Sequence, residues 1–240
     1  MKCRILVPLL LAGSLTTLCA QSPPPQPWFS EPLVQFLDNP QVTCLGWSRN
    51  GKVALFVPVD AGGRGGSVVR MVLLDTVEDR VLMDQEQWGD EFDRVRDEPP
   101  LLARDMEQSQ SGRDYLEACF HAGIEPADPT GAKVYAFPLI YQGLKLGARV
   151  VTAPFGDIDD YGSRSLDYRI VVTSEGRGEK TIARAQANHA FDITVDGYAL
   201  SPFEPRMVVV YDVTQPGFEG ERPATYGFSG CHLKVGFVNK

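Results

Sequence analysis

A tight turn at Asn50 and Gly51 constrains the fold of this chain more than any other feature. Both residues tolerate the positive φ angles of a two-residue hairpin turn, and Asn-Gly is the strongest short-range signal for such a turn. Residues 45–47 before the turn and residues 53–59 after it are mostly apolar and rich in β-branched or aromatic side chains. The pattern therefore predicts two antiparallel strands joined at residues 50–51.

Strand signals recur after this hairpin and are separated by turns. The first run predicts four antiparallel strands, which is the size of one propeller blade or of one sheet of a sandwich. These four strands are predicted at residues 42–47, 52–59, 67–75 and 80–83. Further strands are predicted at residues 134–141, 148–154, 168–173, 180–185, 191–201, 207–213, 224–228 and 232–238. The segment 206–213 is almost wholly apolar, so we expect it to form a central strand that is buried on both faces.

Residues 84–124 interrupt the strand pattern and predict a helical insert. Residues 84–87 resemble an N-cap followed by a glutamine at the third helical position. Trp88, Phe92 and Val95 then recur at the spacing of one helix face. A first helix is therefore predicted to start near residue 84.

A second helix is predicted over residues 112–122, and residues 101–108 are a candidate for a third. Ser111 with Asp114 forms an imperfect capping box, and Gly123 is a typical stop signal. The expected fold class is mainly β, with antiparallel sheets and propeller-blade-like units, interrupted by a helical insert of two or three short helices.

The first 20 residues have the composition of an export signal. Lys2 and Arg4 form a basic start, residues 5–12 form an apolar core, and Ala20 ends an acceptable cleavage site. The apolar run is shorter than the roughly 20 residues that a membrane-spanning helix needs. We therefore expect a signal peptide over residues 1–20 and a periplasmic or secreted mature protein.

Lipid anchoring through Cys19 is the alternative, although Leu18 occupies a position that normally carries a small side chain. Residues 21–32 are rich in proline and are expected to form an extended tether. Since 43% of the residues are hydrophobic, the remaining residues 33–240 are expected to fold as a single β-rich domain.

The net charge limits the partners of the chain. The formal charge is −8, and loss of Lys2 and Arg4 with the signal leaves about −10. Acidic proteins lack the basic surface that displaces counterions from nucleic acid or docks on anionic lipid. The expected partner is an unidentified envelope protein or a small ligand, with no nucleic acid and no transmembrane segment in the mature chain.

Three cysteines remain after the signal: Cys44, Cys119 and Cys231. Cys44 lies in a predicted strand and Cys231 directly before one, at opposite ends of the domain, and the two are candidates for a disulfide. The alternative is that all three are small buried apolar residues. No Cys/His spacing is typical of a zinc site.

Asp157, Asp159 and Asp160 form the best candidate metal site. Three carboxylates in a glycine-containing loop could hold Ca²⁺, which prefers six to eight oxygen ligands. Asp157, Asp159 and Gly162 match the first, third and sixth positions of an EF-hand loop, whereas the fifth and twelfth positions are both tyrosine. The alternative is an acidic, solvated turn.

No catalytic motif accompanies these carboxylates. His121, His189 and His232 are not within motif distance of one another, and Ser229 lacks the strand-to-helix elbow of a hydrolase. The sequence therefore favours a non-catalytic protein- or ligand-binding module without a bound cofactor. The alternatives are a hydrolase of envelope polymers with the paired carboxylates as acid and base, and a calcium-stabilised structural domain.

Residues 197–210 repeat the pattern of residues 46–56. Both copies run glycine, aromatic residue, serine, turn, basic residue and apolar strand, and we interpret the glycine and serine as turn chemistry. The pattern resembles the Ser-Pro-Asp-Gly-Lys strand-turn-strand unit of TolB-like propeller blades.

The chain also resembles a family of predicted secreted bacterial proteins of unknown function. The resemblance rests on residues 45–51 and 71–75 and on residues 201–220, and it covers the two ends of the domain but not its middle. The family has no assigned activity or catalytic residues, so the resemblance implies only export and a β-rich fold.

Overall fold

The computed structural model describes residues 42–60, 67–88, 109–128, 131–217 and 223–239. Twelve strands and one helix, α1 (Gln110–His121), lie within these residues. The strands are β1 (Thr43–Ser48), β2 (Lys52–Asp60), β3 (Ser67–Asp75), β4 (Arg80–Trp88), β5 (Ile124–Pro126), β6 (Leu139–Tyr141), β7 (Leu144–Phe155), β8 (Arg164–Ser174), β9 (Gly178–Ala190), β10 (Asp192–Leu200), β11 (Arg206–Thr214) and β12 (Ala224–His232). The predicted signal peptide and tether lie outside the described residues.

The strands form three antiparallel sheets, which confirms the prediction of a mainly β fold. Sheet A has the strand order β4-β3-β2-β1-β5, sheet B has the order β10-β11-β12, and sheet C has the order β6-β7-β8-β9. The hairpin at residues 50–51 joins β1 to β2 as predicted, with Trp47 opposite Val53 and Gly51 at a φ of 81°. Strand β5 was not predicted; it adds to the free edge of β1.

Sheet B lies between the other two sheets, and its central strand β11 is buried on both faces. Val208 and Val210 of β11 join the core of sheet A, which contains Trp47. Val209, which points the opposite way because strand side chains alternate, joins the core of sheet C with Ile170. The prediction that this segment forms a central, doubly buried strand is therefore confirmed.

The stacking order of the sheets differs from their order along the chain. The meanders β1–β4 and β6–β9 each have the four strands of a propeller blade. Sheet B, however, comes last along the chain and packs between the other two. Blade-like units arranged as in a propeller are therefore not confirmed.

Helix α1 covers the outer face of sheet A. Tyr115 and Cys119 on its apolar side are fully buried against a cluster that includes Phe56. The Tyr115 hydroxyl donates to the carbonyl oxygens of Val72 at 2.8 Å and of Leu55 at 3.1 Å, on neighbouring strands. The layers are thus helix, sheet A, sheet B and sheet C. Within the described residues, no helix is both long and apolar enough to cross a membrane.

The predicted start of the helical insert at residue 84 is wrong, because β4 continues to Trp88. Trp88 pairs with Val68 of β3, and the Asp84 carboxylate binds Arg70 of β3 at 2.6 Å. These long-range contacts outweigh the local resemblance to an N-cap at residue 84. Helix α1, which was predicted over residues 112–122, is capped by Ser109 and not by Ser111. One helix, rather than two or three, lies within the described residues, and the predicted segments at 89–108 lie outside them.

Cys44, Cys119 and Cys231 are free thiols, and all three are buried. This outcome is the alternative to the predicted disulfide between Cys44 and Cys231. Cys44 lies in the core between sheets A and B, whereas Cys231 lies in the core between sheets B and C. Sheet B therefore separates the two thiols that the sequence had suggested as partners. Burial raises the pKa of Cys44 and of Cys119 to about 12, so both behave as small apolar side chains.

The repeated glycines, Gly46 and Gly197, have equivalent roles in sheets A and B. Each follows a β-bulge, and a further segment crosses close to each. A Cβ at Gly46 would lie 2.2 Å from the Glu125 carbonyl oxygen, and one at Gly197 would lie 2.4 Å from that of Tyr135. The interpretation of these glycines as turn chemistry is therefore wrong: they permit close backbone packing.

The repeated serines do serve the turns. The Ser48 hydroxyl oxygen accepts a hydrogen bond from the Lys52 amide at 2.8 Å, and that of Ser201 accepts one from the Phe203 amide at 3.3 Å. The two turns also lie side by side, with the Arg49 guanidinium 5.0 Å from the centre of the Phe203 ring. The two copies of the pattern thus meet at one end of the stacked sheets.

Candidate functional site

The loop between β7 and β8, residues 156–163, contains all three carboxylates of the predicted metal site. We call it the docking loop. The last residue of β7, Phe155, pairs with Ser165 of β8, so the loop projects from a closed hairpin. Gly156 and Gly162 have φ angles of 73° and 79°, which glycine adopts without strain.

Asp159 organises the docking loop through its carboxylate. Oδ1 accepts hydrogen bonds from the Tyr161 amide at 3.0 Å and from the Ser163 amide at 2.9 Å. Oδ2 accepts from the Ser163 hydroxyl and from His189 Nδ1, the latter at 2.9 Å. A carboxylate offers about four lone-pair positions, so these four donors occupy all of them.

His189 connects the docking loop to the end of β9. Its backbone has a φ of 52°, a left-handed conformation that is uncommon outside glycine. The main chain of the loop is also closed, because the Asp159 amide donates to the Ser163 carbonyl and the Gly162 amide donates to the Asp159 carbonyl, both at 2.9 Å. The loop therefore has a defined shape before any ligand binds.

Large apolar side chains project from this ordered loop into solvent. Tyr161 is 74% exposed, Ile158 is 59% exposed and Phe155 at its base is 38% exposed. Two further acids, Asp157 and Asp160, belong to the same loop. Ordered loops that expose aromatic and aliphatic side chains are typical of protein-binding sites.

The position of Asp159 bears directly on calcium binding. An ion at this loop would have to displace the donors that already occupy the Asp159 oxygens, and the loop would lose the contacts that shape it. Within the part of the chain that the structure describes, no three His, Cys, Asp or Glu side chains are grouped to hold a metal. Calcium binding by Asp157, Asp159 and Asp160 thus stays a prediction from the sequence.

The surroundings of Asp159 do not favour its use as a general acid. The bonds from the Ser163 hydroxyl and then from His189 lower the pKa of Asp159 to about 2. A general acid needs the opposite shift, toward neutral pH. A carboxylate with a raised pKa lies outside the loop, on β10. Partial desolvation and then the nearby Asp212 raise the pKa of Asp196 to about 6.

Spacing along the chain does not indicate the Asp196–Asp212 pair, because the register of β10 on β11 brings the two carboxylates together. Asp196 is the extra residue of the β10 bulge, and Asp212 lies opposite Thr194 on β11. The Thr194 hydroxyl donates to the Asp212 carboxylate. Two carboxylates with different surroundings are thus neighbours, but Asp196 is exposed on an edge strand and not enclosed in a cleft.

The other candidate catalytic residues lie apart and have structural partners. The Ser229 hydroxyl is buried and contacts the Asp79 carboxylate and the Ile182 carbonyl oxygen.

The histidines lie on different elements. His121 contacts Glu117 on the surface of α1 at 3.5 Å. His232 Nδ1 accepts a hydrogen bond from the Lys234 amide at 3.1 Å. The structure thus does not bring the three histidines together.

Replacing Asp159 by asparagine is expected to reduce the acid sensitivity of the fold. The folded-state pKa of Asp159 lies below its ordinary value of 3.8. Stabilisation by this carboxylate is therefore fully present above about pH 4 and is lost as the pH falls through about 2. Melting temperatures measured between about pH 7 and about pH 2 should fall less steeply for Asp159→Asn than for the wild type. Asp157→Asn is the matched control, and an equal change in both variants would contradict the role of Asp159.

The described residues thus form a β-rich fold of one helix and three stacked sheets that presents an ordered, partly apolar loop. No known family model matches the chain, and searches of curated proteins and of solved structures find no significant match. The resemblance to secreted bacterial proteins of unknown function therefore stays a prediction.

Proposed function

We propose that this chain is an exported, non-catalytic protein-binding module of the cell envelope that binds its partner through the docking loop. One observation carries the proposal: the Asp159 hydrogen bonds order a loop from which Ile158 and Tyr161 are largely exposed. Because the loop is ordered beforehand, binding does not have to restrict it, which favours affinity. Tyrosine also adds a large contact area with few rotatable bonds.

The loop also specifies the chemistry of the partner. Ile158 and Tyr161 fit an apolar pocket, as the anchors of protein interfaces do. The acids Asp157 and Asp160 in the same loop favour basic side chains at the rim of that pocket. The proposed partner is therefore an envelope protein with an apolar pocket and a basic rim.

Export and ancestry are part of the same proposal. The composition of residues 1–20 supports export to the periplasm or beyond the cell, with lipidation at Cys19 as the less favoured route. The four-stranded meanders β1–β4 and β6–β9 support a relationship to propeller-blade units, although they are stacked differently.

The test compares capture of envelope proteins by three forms of the full-length chain with a C-terminal tag. We expect the wild type to capture a specific protein, and the double variant Ile158→Ala with Tyr161→Ala to lose at least tenfold of that capture. The control is Ile140→Ala with Val235→Ala, which removes apolar side chains of similar exposure, 64% and 58%, elsewhere on the surface. Equal capture by all three forms, or equal loss in the control, would overturn the docking loop as the binding site.

A further inference from the structure

Two arginines face each other on the outer surface of sheet C. Leu166, Tyr168 and Ile170 of β8 point into the core, so the alternate residues, including Arg169, point outward. Arg169 lies directly opposite Arg184 of β9, and both are exposed. Like charges in directly opposed positions destabilise a sheet, so this pair needs an explanation.

Nearby acids hydrogen-bond to other side chains and not to the pair. Glu179 of β9 binds Arg149 at 2.9 Å, and Asp167 of β8 accepts a hydrogen bond from Gln186 at 2.7 Å. Within the described residues, neither Arg169 nor Arg184 has an ion pair or a side-chain hydrogen bond.

The pair borders a shallow concavity of about 350 Å³. Val151 and Ala153 of β7 contribute apolar surface beside the two arginines. Asp167 and Gln186 also line it and hydrogen-bond to each other at 2.7 Å, and the two arginines are the cationic groups of its lining.

We propose that Arg169 and Arg184 bind the phosphate group of a small, soluble ligand. Each guanidinium is a planar fork that pairs with two oxygens, and a phosphate has enough oxygens for both forks, whereas a carboxylate satisfies only one. The volume of the concavity lies at the small end of the range for small-molecule sites. The acidic charge of the whole chain disfavours anionic membranes and nucleic acid as the source of the phosphate.

The site is independent of the docking loop. It lies on the strands of sheet C, and its two arginines take no part in the hydrogen bonds that shape the loop. Failure of the protein-capture experiment would not contradict phosphate binding by the two arginines. Failure of phosphate binding would not contradict protein capture through the docking loop.

The experiment measures calorimetric affinity and melting temperature of the full chain at constant ionic strength, with inorganic phosphate, a phosphomonoester such as glycerol phosphate, or acetate. We expect both phosphate compounds to bind and to raise the melting temperature, and acetate to bind at least tenfold more weakly. Arg169→Gln and Arg184→Gln should each weaken phosphate binding at least tenfold. Arg164→Gln, a change of the same charge at the exposed start of β8, should change it less than twofold.

The stability of the unliganded variants separates binding from folding. Without phosphate, Arg184→Gln should melt at the same or a higher temperature than the wild type, because it removes the like-charge contact. The absence of a phosphate-dependent shift in the wild type, or an equal loss in Arg164→Gln, would overturn the proposal. Binding to vesicles of anionic phospholipid without binding to the phosphomonoester would also overturn it, in favour of a membrane ligand.

Discussion

Replacing either Gly46 or Gly197 by alanine should lower the free energy of unfolding by about 3 kcal/mol, the upper end of the usual cost of overpacking. The added Cβ would lie 2.2 Å from the Glu125 carbonyl oxygen in the first case and 2.4 Å from that of Tyr135 in the second. Both obstacles are backbone atoms within paired segments. They cannot move aside by a simple change of rotamer, so the sheet itself must shift.

Urea denaturation of the two variants measures this effect, and Gly131→Ala is the control. The nearest atom to a Cβ at Gly131 is a side-chain oxygen of Asp128 at 3.4 Å, so we expect a change within about 0.5 kcal/mol. If Gly46→Ala were no more destabilising than Gly131→Ala, β5 would not approach β1 as closely as the structure indicates.

Replacing Tyr115 by alanine should destabilise the domain by about 3–5 kcal/mol, as for other large buried aromatic side chains. Tyr115 is fully buried and is the residue of α1 that hydrogen-bonds to two strands of sheet A. Tyr115→Phe keeps the ring and removes only the hydroxyl, so we expect it to cost about 1–2 kcal/mol. The ring therefore supplies most of the stabilisation, and the hydroxyl sets where the helix docks.

Denaturation together with hydrogen exchange of the α1 amides tests this second result. Tyr115→Ala should increase exchange throughout α1, and Tyr115→Phe should increase it only slightly. Phe120→Ala, on the same helix but at a position that is 51% exposed, should have little effect. If it were as harmful as Tyr115→Ala, the assignment of the buried face of α1 would be wrong.

Local signals were sufficient to predict most strands. Turn chemistry at residues 50–51 and runs of β-branched residues predicted β1–β4 because both depend on neighbours in sequence. Strand β11 was recognised by its continuous apolar run. Gly123, with a φ of 72°, ends α1 as its sequence suggested.

Features that depend on distant partners could not be predicted from the same signals. The extension of β4 to Trp88 depends on pairing with β3, and the role of Gly46 depends on β5. In the docking loop, Asp159 was predicted to be a metal ligand because the sequence shows only its spacing from Asp157 and Gly162. The donor from His189, at the far end of β9, became apparent only in the folded chain.

The central position of sheet B has a consequence for how the chain reaches its folded state. Sheet B consists of β10, β11 and β12, the last strands along the chain. A chain that leaves a ribosome or a translocation pore from its N-terminus forms sheets A and C first, and both then present an apolar face that only the final strands can cover. Such surfaces attract chaperones and promote aggregation until they are covered. Completion of the core must therefore wait for the last strands to emerge, and contacts between segments so far apart in sequence favour slow folding.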